Sequence, residues 1–109
     1  MTQISILGCG WLGFPLAKAL VHNGFLVKGS TTSTEKVSIL KSAGIEPFIV
    51  QLEEEKISES VADFLANSQI LIVNIPPKLR GNSTENFVAK IATLLPFIEK
   101  SRIEKVLFV

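Results

Sequence analysis

The sequence of 109 residues has no tyrosine, one cysteine and one histidine, and its charges nearly balance. The single thiol, Cys9, excludes an internal disulfide framework and a metal site built from several cysteines. A net charge of +1 argues against electrostatic binding of nucleic acid. No apolar run approaches the roughly 18 residues of a membrane span, and no basic segment precedes the first apolar run as in a signal peptide. We therefore expect a cytoplasmic domain that binds neither nucleic acid nor membranes.

The apolar residues, 47% of the total, fall into short runs separated by segments with helical spacing. The five runs are residues 4–7, 25–28, 47–52, 70–75 and 105–109. They do not alternate with polar residues, so we expect strands that are buried on both faces. Four helices are expected between them, at about 11–23, 33–43, 58–67 and 83–100.

Glycine, hydroxyl and proline residues mark the expected helix ends. Gly24 and Gly44 are typical of helix C-termini because glycine accepts the left-handed conformation. Ser33 and Thr34 are candidate caps of the second helix. Pro96 is expected to kink the fourth helix or to end it.

Alternation of strand and helix with short connections predicts an α/β fold. We expect a Rossmann-like, doubly wound parallel sheet of about five strands in the order 3-2-1-4-5, with helices on both faces. One domain over residues 1–109 suits this length.

The strongest functional motif runs directly from the first strand into the first helix. It reads Gly8, Cys9, Gly10, Trp11, Leu12 and Gly13, a G-x-G-x-x-G loop. The first glycine allows a tight turn, the second lets a diphosphate approach the backbone, and the third lets the helix lie close to the sheet. Free N–H groups at the helix start favour an anion. We therefore expect all six residues to bind a dinucleotide; the alternative is a strand-to-helix turn without a ligand. Cys9 is either a small filler or a thiol activated by the helix N-terminus.

The end of the second strand is expected to choose between NAD and NADP. An NAD site usually has a carboxylate there, but none precedes Glu35, and Lys18 and Lys28 are positive. Hydroxyl groups at Ser30, Thr31, Thr32 and Ser33, with Lys36 as a counter-charge, can bind a 2′-phosphate. These residues favour NADP, with NAD less favoured; the alternative is that they only cap the second helix.

A third group of candidate residues lies at the end of the fourth strand, where open α/β sheets bind ligands. It consists of Asn74, Ile75, Pro76 and Pro77. We interpret these residues as the floor beneath the adenosine ribose and the nicotinamide; the alternative is a plain connection.

The segments at 6–13, 28–33, 74–77 and 105–109 together resemble the N-terminal half of an NAD(P)-dependent epimerase/dehydratase-like protein, of the extended and atypical short-chain dehydrogenase/reductase group. The resemblance implies that Gly8, Gly10 and Gly13 hold the diphosphate and that residues 30–32 select the cofactor. It also implies adenine contacts from Gln51 and Leu52, although Gln51 stands where Asp is common.

Two features depart from that group. The loop spacing is that of hydroxy-acid and phosphogluconate-type dehydrogenases, which are the alternative relatives. Short-chain reductases use a Tyr-x-x-x-Lys pair for proton transfer, and these 109 residues contain no tyrosine. We therefore expect the cofactor-binding half of a longer oxidoreductase, with no catalytic residue in this chain. A stand-alone dinucleotide-sensing module is the second hypothesis, and a homodimer paired through the fifth strand is a third.

Overall fold

The elements alternate between strand and helix along the whole chain. A computed structural model describes residues 2–10, 12–50, 60–74 and 83–109, with side chains in the last stretch from residue 92. The elements are β1 (Gln3–Leu7), α1 (Gly13–His22), β2 (Leu26–Thr31), a 3-10 turn (Thr34–Lys36), α2 (Val37–Ser42), β3 (Glu46–Ile49), α3 (Val61–Leu65), β4 (Ile70–Val73), α4 (Ser83–Lys100) and β5 (Lys105–Phe108). No helix within these ranges is long and apolar enough to cross a lipid bilayer.

The five strands form a single parallel sheet in the order β3-β2-β1-β4-β5, which confirms the predicted topology. The chain adds β2 and β3 on one side of β1 and then crosses to add β4 and β5 on the other. The direction of winding therefore reverses between β1 and β4. In open α/β sheets this switch point, beyond the carboxyl ends of the strands, is where ligands bind.

Successive side chains of each strand point to opposite sides of the sheet, so both faces carry apolar residues. Helices cover both faces. On one face, Ile4 and Ile6 of β1 pack in a buried cluster with Ala17 of α1 and Leu40 of α2. On the other face, Leu7 belongs to a second cluster with α3 and α4 residues, whose buried members include Phe64 and Leu94. The doubly wound arrangement is therefore confirmed.

The short helix α3 is held to the sheet by polar side chains as well as by apolar ones. The Ser5 hydroxyl, fully buried in β1, lies 2.6 Å from the Phe64 carbonyl oxygen and 2.6 Å from the Ser68 hydroxyl. A five-residue helix has little stability of its own. The hydrogen bond to Phe64 satisfies a carbonyl group at the C-terminal end of α3 that the helix itself leaves free.

Two strand predictions need correction. β2 continues to Thr31 instead of ending at residue 28, because Ser30 and Thr31 pair with Phe48 and Ile49 of β3. The edge strands are not buried on both faces: β3 is half-buried, and Phe108 of β5 is 64% exposed. Each edge strand has a neighbour on one side only, among the described residues. Pairing of β5 across a two-fold axis stays a prediction.

One helix prediction also needs correction. The second helix starts as a 3-10 turn, and the Ser33 side chain makes no capping hydrogen bond. The predicted extent of α4, to Lys100, is confirmed, and of the two effects expected of Pro96, a kink or an end, the end is excluded. Pro96 is exposed, whereas Phe97 and Ile98 beside it pack against the core, which offsets the hydrogen bond that proline removes. The predicted stops at Gly24 and Gly44 are confirmed, with φ of 89° and 84°.

Candidate functional site

The turn from β1 into α1 brings the backbone of the loop against the start of the helix. Gly8 has φ 97°, a conformation that L side chains rarely adopt. A Cβ atom at Gly13 would lie 2.1 Å from the Gly8 carbonyl oxygen and 2.8 Å from Nδ2 of Asn74. Glycine is therefore required at both positions for steric reasons, whether or not a ligand is bound.

Gly10 is different, because no described residue demands a glycine there for packing. A Cβ atom at this position would meet no heavy atom of the described residues within 4 Å, and the φ of Gly10 lies outside the left-handed region. The missing side chain leaves open space over the backbone at the end of β1. This space is where a diphosphate approaches in the predicted dinucleotide site.

Backbone N–H groups border that open space. Within the described part of the chain, the N–H groups of Gly10, Leu12 and Gly13 donate to no acceptor, whereas Phe14 N–H already bonds the Gly10 carbonyl at 3.1 Å. These groups stand at the N-terminal end of α1, where the helix dipole is positive. Helix α1 has no acidic residue in its first turn to compete for them. The arrangement fits an anionic group such as a diphosphate.

Side chains and backbone from the two neighbouring strands hold the start of the loop. The Gly8 N–H donates to Oγ of Ser30 at 2.8 Å, and the Cys9 N–H donates to the Ser30 carbonyl at 2.8 Å. From β4, Nδ2 of Asn74 donates to the Gly8 carbonyl at 3.1 Å. The N–H groups of Gly8 and Cys9 therefore point to β2 and not to the open space. Asn74 contacts the loop itself instead of lying only beneath a ligand.

Cys9 points into the core. Its side chain is 3% exposed. Its sulfur lies 2.5 Å from the position that a Cβ atom of Gly29 would take. Burial raises the pKa of the Cys9 thiol from 9.0 to about 11, outweighing the opposing effect of the backbone hydrogen bond with Ser30. The thiol is therefore neutral near pH 7. Of the two roles expected from the sequence, this favours a small side chain that fills space in the core over an activated nucleophile.

The residues expected to choose the cofactor are divided by burial. Ser30 and Thr31 lie within β2 and are 2% and 7% exposed, and Oγ1 of Thr31 accepts the Ser33 N–H at 3.1 Å. Thr32 and Lys36, which follow the strand, are exposed. Only the latter two are free to meet a ligand from solvent.

Lys28, one of two positive residues considered as partners of an anion, is turned away from the loop. It is 8% exposed, and its Nζ donates to the Asp63 carbonyl at 2.6 Å and to the Ala66 carbonyl at 2.9 Å. The ammonium group also lies 5.2 Å from the centre of the Phe48 ring. Lys28 therefore stabilises the end of α3, and its charge is used there.

The remaining predicted site residues lie outside the described residues. They are Trp11, Gln51, Leu52, Ile75, Pro76 and Pro77. The contacts of Ser30 and Asn74 with Gly8 were not predicted from the sequence. The available signal was a small polar residue at the carboxyl end of each strand that flanks β1.

Comparison with known proteins agrees with this geometry. Residues 3–104 match the NAD binding domain of 6-phosphogluconate dehydrogenase. The chain belongs to this family of NAD-binding domains. The match includes the whole glycine loop and all of β1 to α4, so an NAD(P)-binding Rossmann domain is established for the chain.

Relatives of this NAD-binding domain are considerably longer proteins. The chain is 29% identical over 109 residues to Protein YeeZ of Escherichia coli K12, of which it spans 40%. It superposes with a TM-score of 0.76 on vestitone reductase from alfalfa (Medicago sativa), at 17% identity, covering 99% of this chain and 36% of that one. For an NADPH-dependent glyoxylate/hydroxypyruvate reductase of Sinorhizobium meliloti the TM-score is 0.51 and the identity 24%, over 69% of this chain and 20% of that one. These structural likenesses show the shared Rossmann fold.

Proposed function

We propose that the chain holds the diphosphate of NAD(P) over Gly10, as the cofactor-binding part of a longer oxidoreductase. The observation that carries the proposal is the open space at Gly10, together with the N–H groups of Gly10, Leu12 and Gly13, which have no acceptor among the described residues. A bound nicotinamide supplies hydride transfer. The residues described here bind and orient it, and we assign none of them a catalytic role.

We further propose a preference for NADP. Thr32 and Lys36 are exposed just beyond β2, where the adenosine ribose of a bound dinucleotide is expected. No carboxylate precedes Glu35 in the sequence, so NAD lacks its usual partner for the ribose hydroxyls. Burial of Ser30 and Thr31 and partial burial of Ser33 leave Thr32 and Lys36 as the exposed candidate ligands of a 2′-phosphate. The Sinorhizobium meliloti reductase, which has the same fold, was solved with NADP.

Titration of NADH and NADPH by calorimetry tests both parts of the proposal. The chain is expected to bind NADPH more tightly than NADH. Lys36→Gln should weaken NADPH binding by about two- to fivefold, the range of an exposed charge pair, with little effect on NADH. Lys41→Gln is the matched control, because Lys41 is exposed on the neighbouring helix α2 and the change in net charge is the same. Equal binding of the two cofactors would refute the preference, and no binding of either would refute the site.

For the reaction of the whole protein, a dehydrogenase of the hydroxy-acid or phosphogluconate type is the proposal that the family supports best. The G-x-G-x-x-G spacing at Gly8, Gly10 and Gly13 and the family match favour it. An epimerase/dehydratase-like reductase is the second candidate, favoured by the superposition on vestitone reductase. Reading the coding sequence for a Tyr-x-x-x-Lys pair outside these 109 residues separates the two: its presence supports the second and its absence the first.

A further inference from the structure

Hydrogen bonds fix the backbone on both sides of the Gly8 Cα atom. The Gly8 N–H, in the peptide plane shared with Leu7, donates to the Ser30 hydroxyl of β2 at 2.8 Å. The Gly8 carbonyl, in the peptide plane shared with Cys9, accepts from the Asn74 amide, directly after β4, at 3.1 Å. Because β2 and β4 are the two neighbours of β1, the two hydrogen bonds approach the loop from opposite directions. Together they fix the orientation of the two peptide planes that meet at Gly8.

That orientation determines how closely α1 approaches the sheet. The Gly8 carbonyl oxygen lies only 2.1 Å from the position that a Cβ atom of Gly13 would take. A rotation of the peptide between Gly8 and Cys9 would therefore move this oxygen relative to the first turn of α1. The same turn carries the unpaired N–H groups of Leu12 and Gly13. The hydrogen bonds at Gly8 thus control where these donors point.

Ser30 acts without touching a ligand. Its side chain is 2% exposed, and its hydroxyl already accepts the Gly8 N–H. A group bound in the open space over Gly10 meets the loop, with Ser30 on the sheet side of it. Thr32 and Lys36, in contrast, are exposed and free to contact such a group.

We propose that Ser30 is a positioning residue that, together with Asn74, holds the glycine loop in the conformation that binds the diphosphate. It therefore raises the affinities for NAD and for NADP by the same factor. The proposal rests on the proposed dinucleotide site and adds a division of roles within it. Ser30 sets the strength of binding through the diphosphate, which both cofactors share. Thr32 and Lys36 set the ratio between the cofactors through the 2′-position, at which they differ.

The direct test replaces Ser30 with alanine and measures the dissociation constants of NADH and NADPH by calorimetry. Loss of the buried hydroxyl leaves the Gly8 N–H without its acceptor. The free energy of one such intramolecular hydrogen bond corresponds to about a three- to tenfold increase in a dissociation constant. Both dissociation constants should rise by that factor while their ratio stays the same. A change confined to NADPH would overturn the proposal, because Ser30 would then contact the 2′-phosphate.

Cys9 reports on the loop without any cofactor. It is the one cysteine of the chain and is 3% exposed, so its alkylation by a maleimide requires the loop to open. Ser30→Ala and Asn74→Ala should each increase the alkylation rate severalfold. Two variants on opposite sides of Gly8 keep the test decisive if one of them fails to fold. Unchanged rates in the folded variants would overturn the proposal.

Ser5→Ala is the matched control. Ser5 is also a buried serine of the sheet, 0% exposed, but its hydroxyl bonds the Phe64 carbonyl of α3 and not the loop. In Ser5→Ala the dissociation constants of NADH and NADPH, their ratio and the rate of Cys9 alkylation should all stay close to those of the wild type. Equal losses in Ser5→Ala and Ser30→Ala would overturn the proposal, because general destabilisation would explain both. If the wild type binds neither cofactor, the proposed function fails and the alkylation rates alone decide whether the loop is held as described.

Discussion

Replacement of Gly13 by alanine should separate the packing of α1 from the binding of a ligand. The added methyl group would lie 2.1 Å from the Gly8 carbonyl oxygen and 2.8 Å from Nδ2 of Asn74. Ordinary contact begins at 3.4 Å, so the helix start or the Gly8 peptide must retreat by about 1.3 Å. The atom in the way is backbone and cannot change rotamer.

The magnitude follows from two opposing effects. Overpacking of this kind lowers the free energy of unfolding by about 1–3 kcal/mol. Weakening of the hydrogen bond from Asn74 to the Gly8 carbonyl lowers it further, by up to about 1 kcal/mol. Alanine at the first position of a helix recovers at most about 1 kcal/mol relative to glycine. We expect a net loss of about 2 kcal/mol in the free energy of unfolding, measured by urea denaturation with circular dichroism.

The control for this prediction is the same methyl group at Gly10, where it would meet nothing within 4 Å. Gly10→Ala should unfold at nearly the wild-type urea concentration. A Gly13→Ala variant as stable as the wild type would refute the close approach of α1 to the loop, and with it the steric reason for the third glycine.

Three further predictions concern the core. Phe64→Ala, which removes a fully buried ring, should lower the free energy of unfolding by about 3–5 kcal/mol in urea denaturation, and a loss below about 1 kcal/mol would contradict its central position. Lys28→Met should cost about 1–3 kcal/mol in the same assay because the carbonyls of Asp63 and Ala66 each lose a hydrogen bond from a charged donor; an unchanged stability would show that the ammonium group contributes nothing there. Burial raises the pKa of Cys9 from 9.0 to about 11, so the unfolded chain loses this proton first as the pH rises. The stability of the wild type relative to Cys9→Ala should therefore fall by about 2–3 kcal/mol between pH 9 and 11, and a constant difference would argue against burial of the thiol.

The strand order and the two covered faces were predictable because they depend on local patterns. Runs such as residues 4–7 and 70–75 are apolar throughout, and glycines such as Gly24 and Gly44 follow the helices directly. The requirement for right-handed crossovers then leaves few topologies. The glycine loop was predictable for the same reason, since its spacing and its place between strand and helix are both visible in the sequence.

The roles of individual polar residues were not predictable, because their partners lie far away in the sequence. Ser30 and Asn74 meet Gly8 across separations of 22 and 66 residues. The end of β2 at Thr31 depends on its pairing with β3, and the sequence around residue 28 carries no sign of it. From the sequence alone Lys28 is a possible partner of an anion, because only the folded chain brings the end of α3 to its ammonium group.

Calorimetry of Gly10→Ala tests whether the open backbone at Gly10 holds the dinucleotide diphosphate. The binding of NADH and NADPH to this variant is compared with their binding to the wild type. The methyl group meets no atom of the described residues within 4 Å, so the variant should fold with a free energy of unfolding within about 0.5 kcal/mol of the wild type. We expect it to lose at least about tenfold in affinity for both cofactors, because the methyl group and a phosphate compete for one space. A stable Gly10→Ala that binds both cofactors as tightly as the wild type would contradict binding of the diphosphate at Gly10.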